Sequence, residues 1–174
     1  MNALLARARA IRLAAFDVDG VLTDGRLYYT DTGEELKAFS SVDGHGLKML
    51  ADTGVHLAII TGRSARLVEH RARNLGVEFL FQGVSDKAAV LEKLLGELGL
   101  EAREAAFMGD DVVDLPVLRR CGLALTVPEA PALVRHHAHY VTQSNGGRGA
   151  VREVCELIML AQGTLDRKLA PEQS

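Results

Sequence analysis

Residues 16–25 read FDVDGVLTDG and close an apolar run, 11–16, that only Arg12 interrupts. A run of that kind has the character of a buried strand, and the carboxyl ends of strands in a parallel sheet form the rim where ligands bind. Asp17 and Asp19 therefore fall at a site-forming position. Gly20, directly behind them, allows a sharp turn and a close backbone approach that a Cβ would obstruct. Taken alone the stretch also suits an ordinary surface turn, because Asp and Gly are common turn formers. The rest of the chain decides between the two readings.

Working outward, residues 55–60 form a second apolar strand that ends in Thr61, Gly62 and Arg63. Ser85, Asp86 and Lys87 open a helix, and residues 105–108 form a third strand running into GDDVVD at 109–114. Each polar group thus lies at the carboxyl end of a strand or the start of a helix. From Val42 onward, helical faces marked by Leu47 and Leu50, by Leu67, Val68 and Leu75, and by Leu91, Leu94, Leu95 and Leu98 alternate with strands at 55–60, 79–81, 105–108 and 123–127. That alternation predicts an α/β fold: a doubly wound parallel sheet with helices on both sides. Leu27, Tyr28 and Tyr29, a turn at 31–33 and the run 36–39 break the rhythm and predict a β-hairpin over about 26–40. It follows the Asp pair directly, a position that favours a flap over the site rather than a sheet extension.

At 174 residues the chain is expected to form one domain, 1–174, with a sizeable core. Its 48% hydrophobic and 25% charged residues are ordinary for a globular protein. A net charge of -3 and 5% aromatic residues argue against nucleic acid, for want of a basic footprint and of rings to stack on bases. Cys121 and Cys155 are too few for a disulfide framework and lack zinc-site spacing, so they are expected to be core residues in a reducing compartment. Arg7, Arg9 and Arg12 without any acid resemble a transit peptide, but cleavage there would destroy the first strand. No apolar run is long enough to cross a bilayer, and the expected location is the cytoplasm. The polar tail, 163–174, is expected to be mobile in an isolated subunit.

If Asp17, Asp19, Asp110 and either Asp111 or Asp114 converge, their mutual repulsion requires a cation between them. Mg²⁺ fits best, being held by carboxylates, water and phosphate oxygens, and no His or Cys is placed to favour zinc. The ordered set from 11 to 127 resembles the haloacid dehalogenase-like phosphatase superfamily, whose motifs are an Asp-x-Asp strand end, a Thr or Ser strand end, a Lys and an acidic strand end. The resemblance implies that Asp17 attacks phosphorus to form an aspartyl-phosphate. Asp19 would act as acid and then base, kept partly protonated by neighbouring carboxylates and reaching the metal through its backbone carbonyl. Thr61 and Lys87 would serve the phosphoryl oxygens. Asp110 would bind the metal directly, with Asp114 or Asp111 acting through water and one of that pair capping the next helix.

Superfamily members that discriminate among small substrates usually carry a cap domain. Here the insertion after Asp19 is only the hairpin, and Thr61 and Lys87 are too close for another domain. A capless core leaves its cleft open, so neighbouring subunits are expected to supply the missing wall in a homo-oligomer. With FSSVDGHGLKML at 39–50, TGRSARLVEHR at 61–71 and NGGRGAVREVCELIM at 145–159, the chain resembles capless phosphatases of phosphorylated sugar acids of eight or nine carbons. This implies a homotetramer in which flap and tail complete a neighbour's site, and a role in making the inner sugar of lipopolysaccharide. The substrate carboxylate suits Arg63 or Arg71 in a bidentate contact, with Arg63, beside Thr61 and Gly62, the preferred reader.

Three features stay outside this scheme. His136, His137 and His139 have no partner carboxylate motif and are not expected to bind metal. Gly146, Gly147 and Gly149 could cradle an anion but lack the Lys and Ser/Thr of a nucleotide-binding loop, so a flexible helix start is expected. Gly44 and Gly46 complete no dinucleotide fingerprint. The rival from another class is a signalling receiver domain, but there the phosphorylated Asp lies alone on a middle strand rather than in an Asp-x-Asp pair on the first.

Overall fold

The computed structural model describes residues 2–166, so most of the tail expected at 163–174 lies outside the described residues. Helix α1 (Asn2–Arg9) leads into strand β1 (Leu13–Phe16). Strands β2 (Tyr28–Tyr29) and β3 (Glu35–Leu36) form the hairpin, antiparallel with Tyr28 opposite Leu36. Helices and strands then alternate: α2 (Ser41–Ala51), β4 (His56–Ile60), α3 (Arg66–Leu75), β5 (Phe79–Phe81), α4 (Lys87–Leu98), β6 (Ala105–Met108), a short α5 (Leu115–Leu118), β7 (Leu123–Thr126), α6 (Ala132–His137), β8 (Tyr140–Val141) and α7 (Ala150–Gln162).

Six strands form one parallel sheet in the order β5-β4-β1-β6-β7-β8, flanked by helices. This is the doubly wound α/β fold that the alternation predicts. Every residue of β1, β6 and β7 is buried, which is why these strands read as continuous apolar runs rather than as alternating ones. The winding reverses at β1, which pairs with β4 on one side and β6 on the other. A crevice outside the carboxyl ends of the strands opens at such a reversal. Numbered by chain order within the sheet, the strands run about 3-2-1-4-5-6, unlike the 2-1-3-4-5 order of receiver domains. Phe16 lies level with Ile59 and Met108, so the chain segments leaving all three strands emerge together.

Helix α2 carries Gly44 and Gly46 in its interior, where each costs about 0.5–1 kcal/mol relative to Ala. Close approach explains both. A Cβ on Gly44 would lie 2.4 Å from Arg71 Nη2, and one on Gly46 would lie 2.8 Å from Arg152 Cδ. The glycines therefore let α3 and α7 reach α2. Asp43, buried in the first turn of α2, accepts hydrogen bonds from Gly149 N at 3.2 Å and Arg152 N at 2.8 Å. The anion at the start of α7 is thus the protein's own carboxylate. The glycine run in front of it is a fitted wedge, contrary to the flexible start expected. Gly147 N donates to Val21 O at 2.9 Å, and a Cβ on Gly146 would lie 1.9 Å from Gly20 O.

Both cysteines are buried free thiols, and burial pushes Cys121 up to about 12 and Cys155 higher still, which suits inert core residues. The histidines also have structural partners. His137 contacts Arg119, and His139 Nδ1 accepts from Ala124 N at 2.8 Å at the start of β7.

Asp43→Ala removes two buried caps from α7 and is expected to cost about 1–3 kcal/mol. Urea unfolding reads this as a lower midpoint at unchanged slope, and an unchanged midpoint would show that α7 is held by packing alone.

Candidate active site

Asp17 extends the ladder one residue beyond β1, its N–H donating to Met108 O at 2.9 Å. Its Oδ1 accepts from Val18 N at 2.6 Å and its Oδ2 from Lys87 Nζ. Lys87 is the first residue of α4, behind the N-cap Asp86, whose Oδ1 accepts from Ala89 N at 3.0 Å. Its side chain is only 6% exposed, and its ammonium also donates to Asp114 Oδ1 at 2.6 Å. Burial works to neutralise that ammonium, but the charges of Asp17 and Asp114 outweigh it and hold the Lys87 pKa above its ordinary value. A cation at a helix N-terminus is unfavourable unless anions compensate, and here two do.

Asp114 is fully buried at the end of the 3₁₀ turn Val112–Asp114. Its Oδ2 accepts from Asp110 N at 3.0 Å and Asp111 N at 3.2 Å, which shapes the loop after β6. Gly109 makes room for it, since a Cβ there would lie 2.5 Å from Asp114 Cγ. Gly20 does the same for Asp110: its φ is 82°, and a Cβ would lie 2.0 Å from Asp110 Oδ2.

Carboxylate oxygens of Asp17, Asp110 and Asp114 lie within 4.8 Å of one another. One ammonium faces three carboxylates. Burial, then the charges of Asp17 and Asp114, push Asp110 up to about 7, and burial also raises Asp17. Among the described residues no hydrogen bond or ion pair holds the Asp110 carboxylate, while both oxygens of Asp114 are engaged. An all-oxygen, crowded, partly uncompensated cluster fits a hard divalent cation such as Mg²⁺. Of the two alternatives left open after Asp110, Asp114 joins the cluster. Asp111 stays exposed and caps the 3₁₀ turn, accepting from Val112 N at 2.7 Å.

The cluster lies at a cavity of about 510 Å³ whose lining includes Asp17, Asp19, Thr61, Gly62, Arg63, Lys87, Asp110 and Asp111. Thr61 follows β4 and is held by backbone bonds to Phe81 O at 3.0 Å and from Val84 N at 3.1 Å. Two expectations need correction. Asp19 does not join the carboxylate cluster: its side chain turns to Lys37 of the hairpin. Arg71 does not line this cavity. It donates to Ser40 O at 2.8 Å and lies over the Phe39 ring at 5.6 Å, bracing the junction of hairpin and α2, because it projects from the α3 face that meets Gly44. Sequence reasoning missed Lys37 and Glu35. Glu35 Oε1 accepts from Lys37 Nζ at 2.9 Å and Oε2 from Arg63 Nη2 at 2.9 Å. Charged residues on a short hairpin carry no local signal that separates them from solvated ones.

Such a core, with an Asp pair at the central switch and acidic and basic strand ends around it, defines a hydrolase class, and the chain belongs to the haloacid dehalogenase-like hydrolase family, whose profile matches residues 28–122. Within that class it is 48% identical to 3-deoxy-D-manno-octulosonate 8-phosphate phosphatase KdsC of Yersinia pestis over 163 residues, 94% of this chain and 87% of that protein. Among solved structures it resembles 3-deoxy-D-manno-octulosonate 8-phosphate phosphatase of Moraxella catarrhalis in complex with magnesium ion, phosphate ion and KDO, with a TM-score of 0.95 and 44% identity over 97% of both chains. A probable YrbI family phosphatase from Pseudomonas syringae also has a TM-score of 0.95, with 54% identity over 97% of this chain and 96% of that one.

Asp110 binds more protons when folded than unfolded between its ordinary value of 3.8 and about 7, so its contribution to stability is present below that window and lost as pH rises through it. Metal-free protein should therefore melt lower at pH 8 than Asp110→Asn does, with the difference shrinking toward pH 5 and Mg²⁺ raising only the unsubstituted melt. Parallel melting curves at all pH values would contradict the crowded-carboxylate account.

Proposed function

We propose that this protein is a Mg²⁺-dependent phosphatase of 3-deoxy-D-manno-octulosonate 8-phosphate, acting in lipopolysaccharide biosynthesis in the cytoplasm as one catalytic domain per chain. The observation that carries the reading is Asp17, braced by Val18 N and Lys87 in the lining of the cavity and adjoined by Asp110 and Asp114. The identity to phosphatases of that name, and a close structural relative holding magnesium, phosphate and KDO, support the substrate.

Asp17 and Asp110 would hold the cation directly, with Asp19 contributing its backbone carbonyl and Asp114, whose oxygens are engaged by Lys87 and the loop amides, acting through water. The ion supplies charge neutralisation between the anionic nucleophile and the phosphate. Asp17 carboxylate attacks phosphorus, the bond from phosphorus to the sugar oxygen breaks, and Asp19 gives that oxygen its proton. Asp19 then takes a proton from water, whose oxygen attacks the aspartyl-phosphate, releasing phosphate and regenerating Asp17. Lys87 and Thr61 stabilise the phosphoryl oxygens as charge redistributes. Arg63 and the backbone at Gly62 receive the sugar acid, the guanidinium pairing with its carboxylate.

The reading includes a homotetramer in which neighbours complete each site. Support comes from the hairpin, where Leu27, Tyr28, Tyr29 and Leu36 are all exposed in the single chain, Tyr29 at 59% and Leu36 at 55%.

Asp17→Asn should lose about 10⁴-fold or more in kcat, and EDTA should abolish phosphate release until Mg²⁺ is restored. Release from a nine-carbon sugar acid 9-phosphate at higher kcat/KM than from the eight-carbon ester would overturn the substrate assignment while leaving the phosphatase. Tyr29→Asp should dissociate the assembly by light scattering and raise KM. An assembly unchanged by that substitution would remove the hairpin from the interface.

A further inference from the structure

Lys37 lies just past β3, and its side chain is 2% exposed although lysines normally keep their heads in water. Its ammonium is tied to Asp19 Oδ1 and to Glu35 Oε1 at 2.9 Å. Glu35 uses its other oxygen on Arg63, so the chain Arg63–Glu35–Lys37–Asp19 begins and ends on residues that line the cavity. Asp17 has its direction set by a backbone amide and by Lys87. Among the described residues, Lys37 is the group that hydrogen-bonds the Asp19 carboxylate.

We propose that Lys37 is the positioning residue for Asp19, with Glu35 fixing Lys37 in turn. The inference rests on Asp19 being the proton donor and acceptor. An unanchored Asp19 could turn toward the cation beside Asp17, whereas a proton donor acts only within hydrogen-bond reach of the leaving oxygen. Lys37 holds the carboxyl in the cavity wall, apart from the cluster. The hairpin thereby sets the geometry of proton transfer.

Misplacing a proton donor slows esters whose leaving oxygen needs a proton and spares those whose leaving anion is already stable. With Mg²⁺ present, Lys37→Met should lower kcat about 10²-fold on an alkyl phosphate, less on phenyl phosphate, and least on 4-nitrophenyl phosphate, at nearly unchanged KM. Glu35→Gln should give the same order with smaller losses, and Lys37→Arg should recover part of the alkyl rate. In an Asp19→Asn background, Lys37→Met should add almost nothing, because the two residues act as one unit. Equal losses on all three esters, a change confined to KM, or a further loss in the Asp19→Asn background would overturn the inference and leave the phosphatase assignment standing. Failure of the unsubstituted protein on every ester would overturn both.

Discussion

A single buried ammonium facing three carboxylates organises this molecule. Lys87 cannot stay charged in the interior without Asp17 and Asp114, and those two cannot lie so close without Lys87. Opposite charges thus bind the carboxyl end of the central strand, the loop after its neighbour and the first turn of a helix into one unit. Compensation is incomplete, and the remainder falls on Asp110, whose carboxyl is pushed up to about 7. Incomplete compensation is what makes the cluster a receptor for a cation.

The surrounding fold keeps that unit in register. Parallel pairing of β1 with β6 brings the residues after Phe16 and Met108 to one level. Gly20 and Gly109 then surrender their side-chain volume to the carboxylates of Asp110 and Asp114. Behind the loop that follows Asp19, the glycine wedge ahead of α7 presses on Gly20 and Thr23, and Asp43 fixes that wedge by capping the helix. The loop after β1 is therefore backed by packed backbone, which suits the nucleophile role proposed for Asp17.

Much of this was legible in the chain, for physical reasons. Strands buried on both faces read as short apolar runs, so the sheet, the hairpin and the positions of Asp17, Thr61, Lys87 and Asp110 at strand and helix ends followed from pattern. Side-chain direction did not. Arg71 shares a helical segment with the cavity side of the fold yet points to Gly44, and Asp19 sits two residues from Asp17 yet turns to Lys37. Asp43 resembled any first-turn acid, and the partner that gives it meaning lies more than a hundred residues away.

By itself, then, the sequence determined the doubly wound architecture, the position of the site at the carboxyl ends of its strands and the acidic chemistry there, because periodicity and local backbone preference are properties of neighbouring residues. Tertiary structure decided which carboxylates crowd together, which one is held apart by a lysine and which glycines are spaces for another side chain. Those outcomes depend on distances between segments remote in the chain, and burial and Coulomb interactions take their magnitude only once such distances exist.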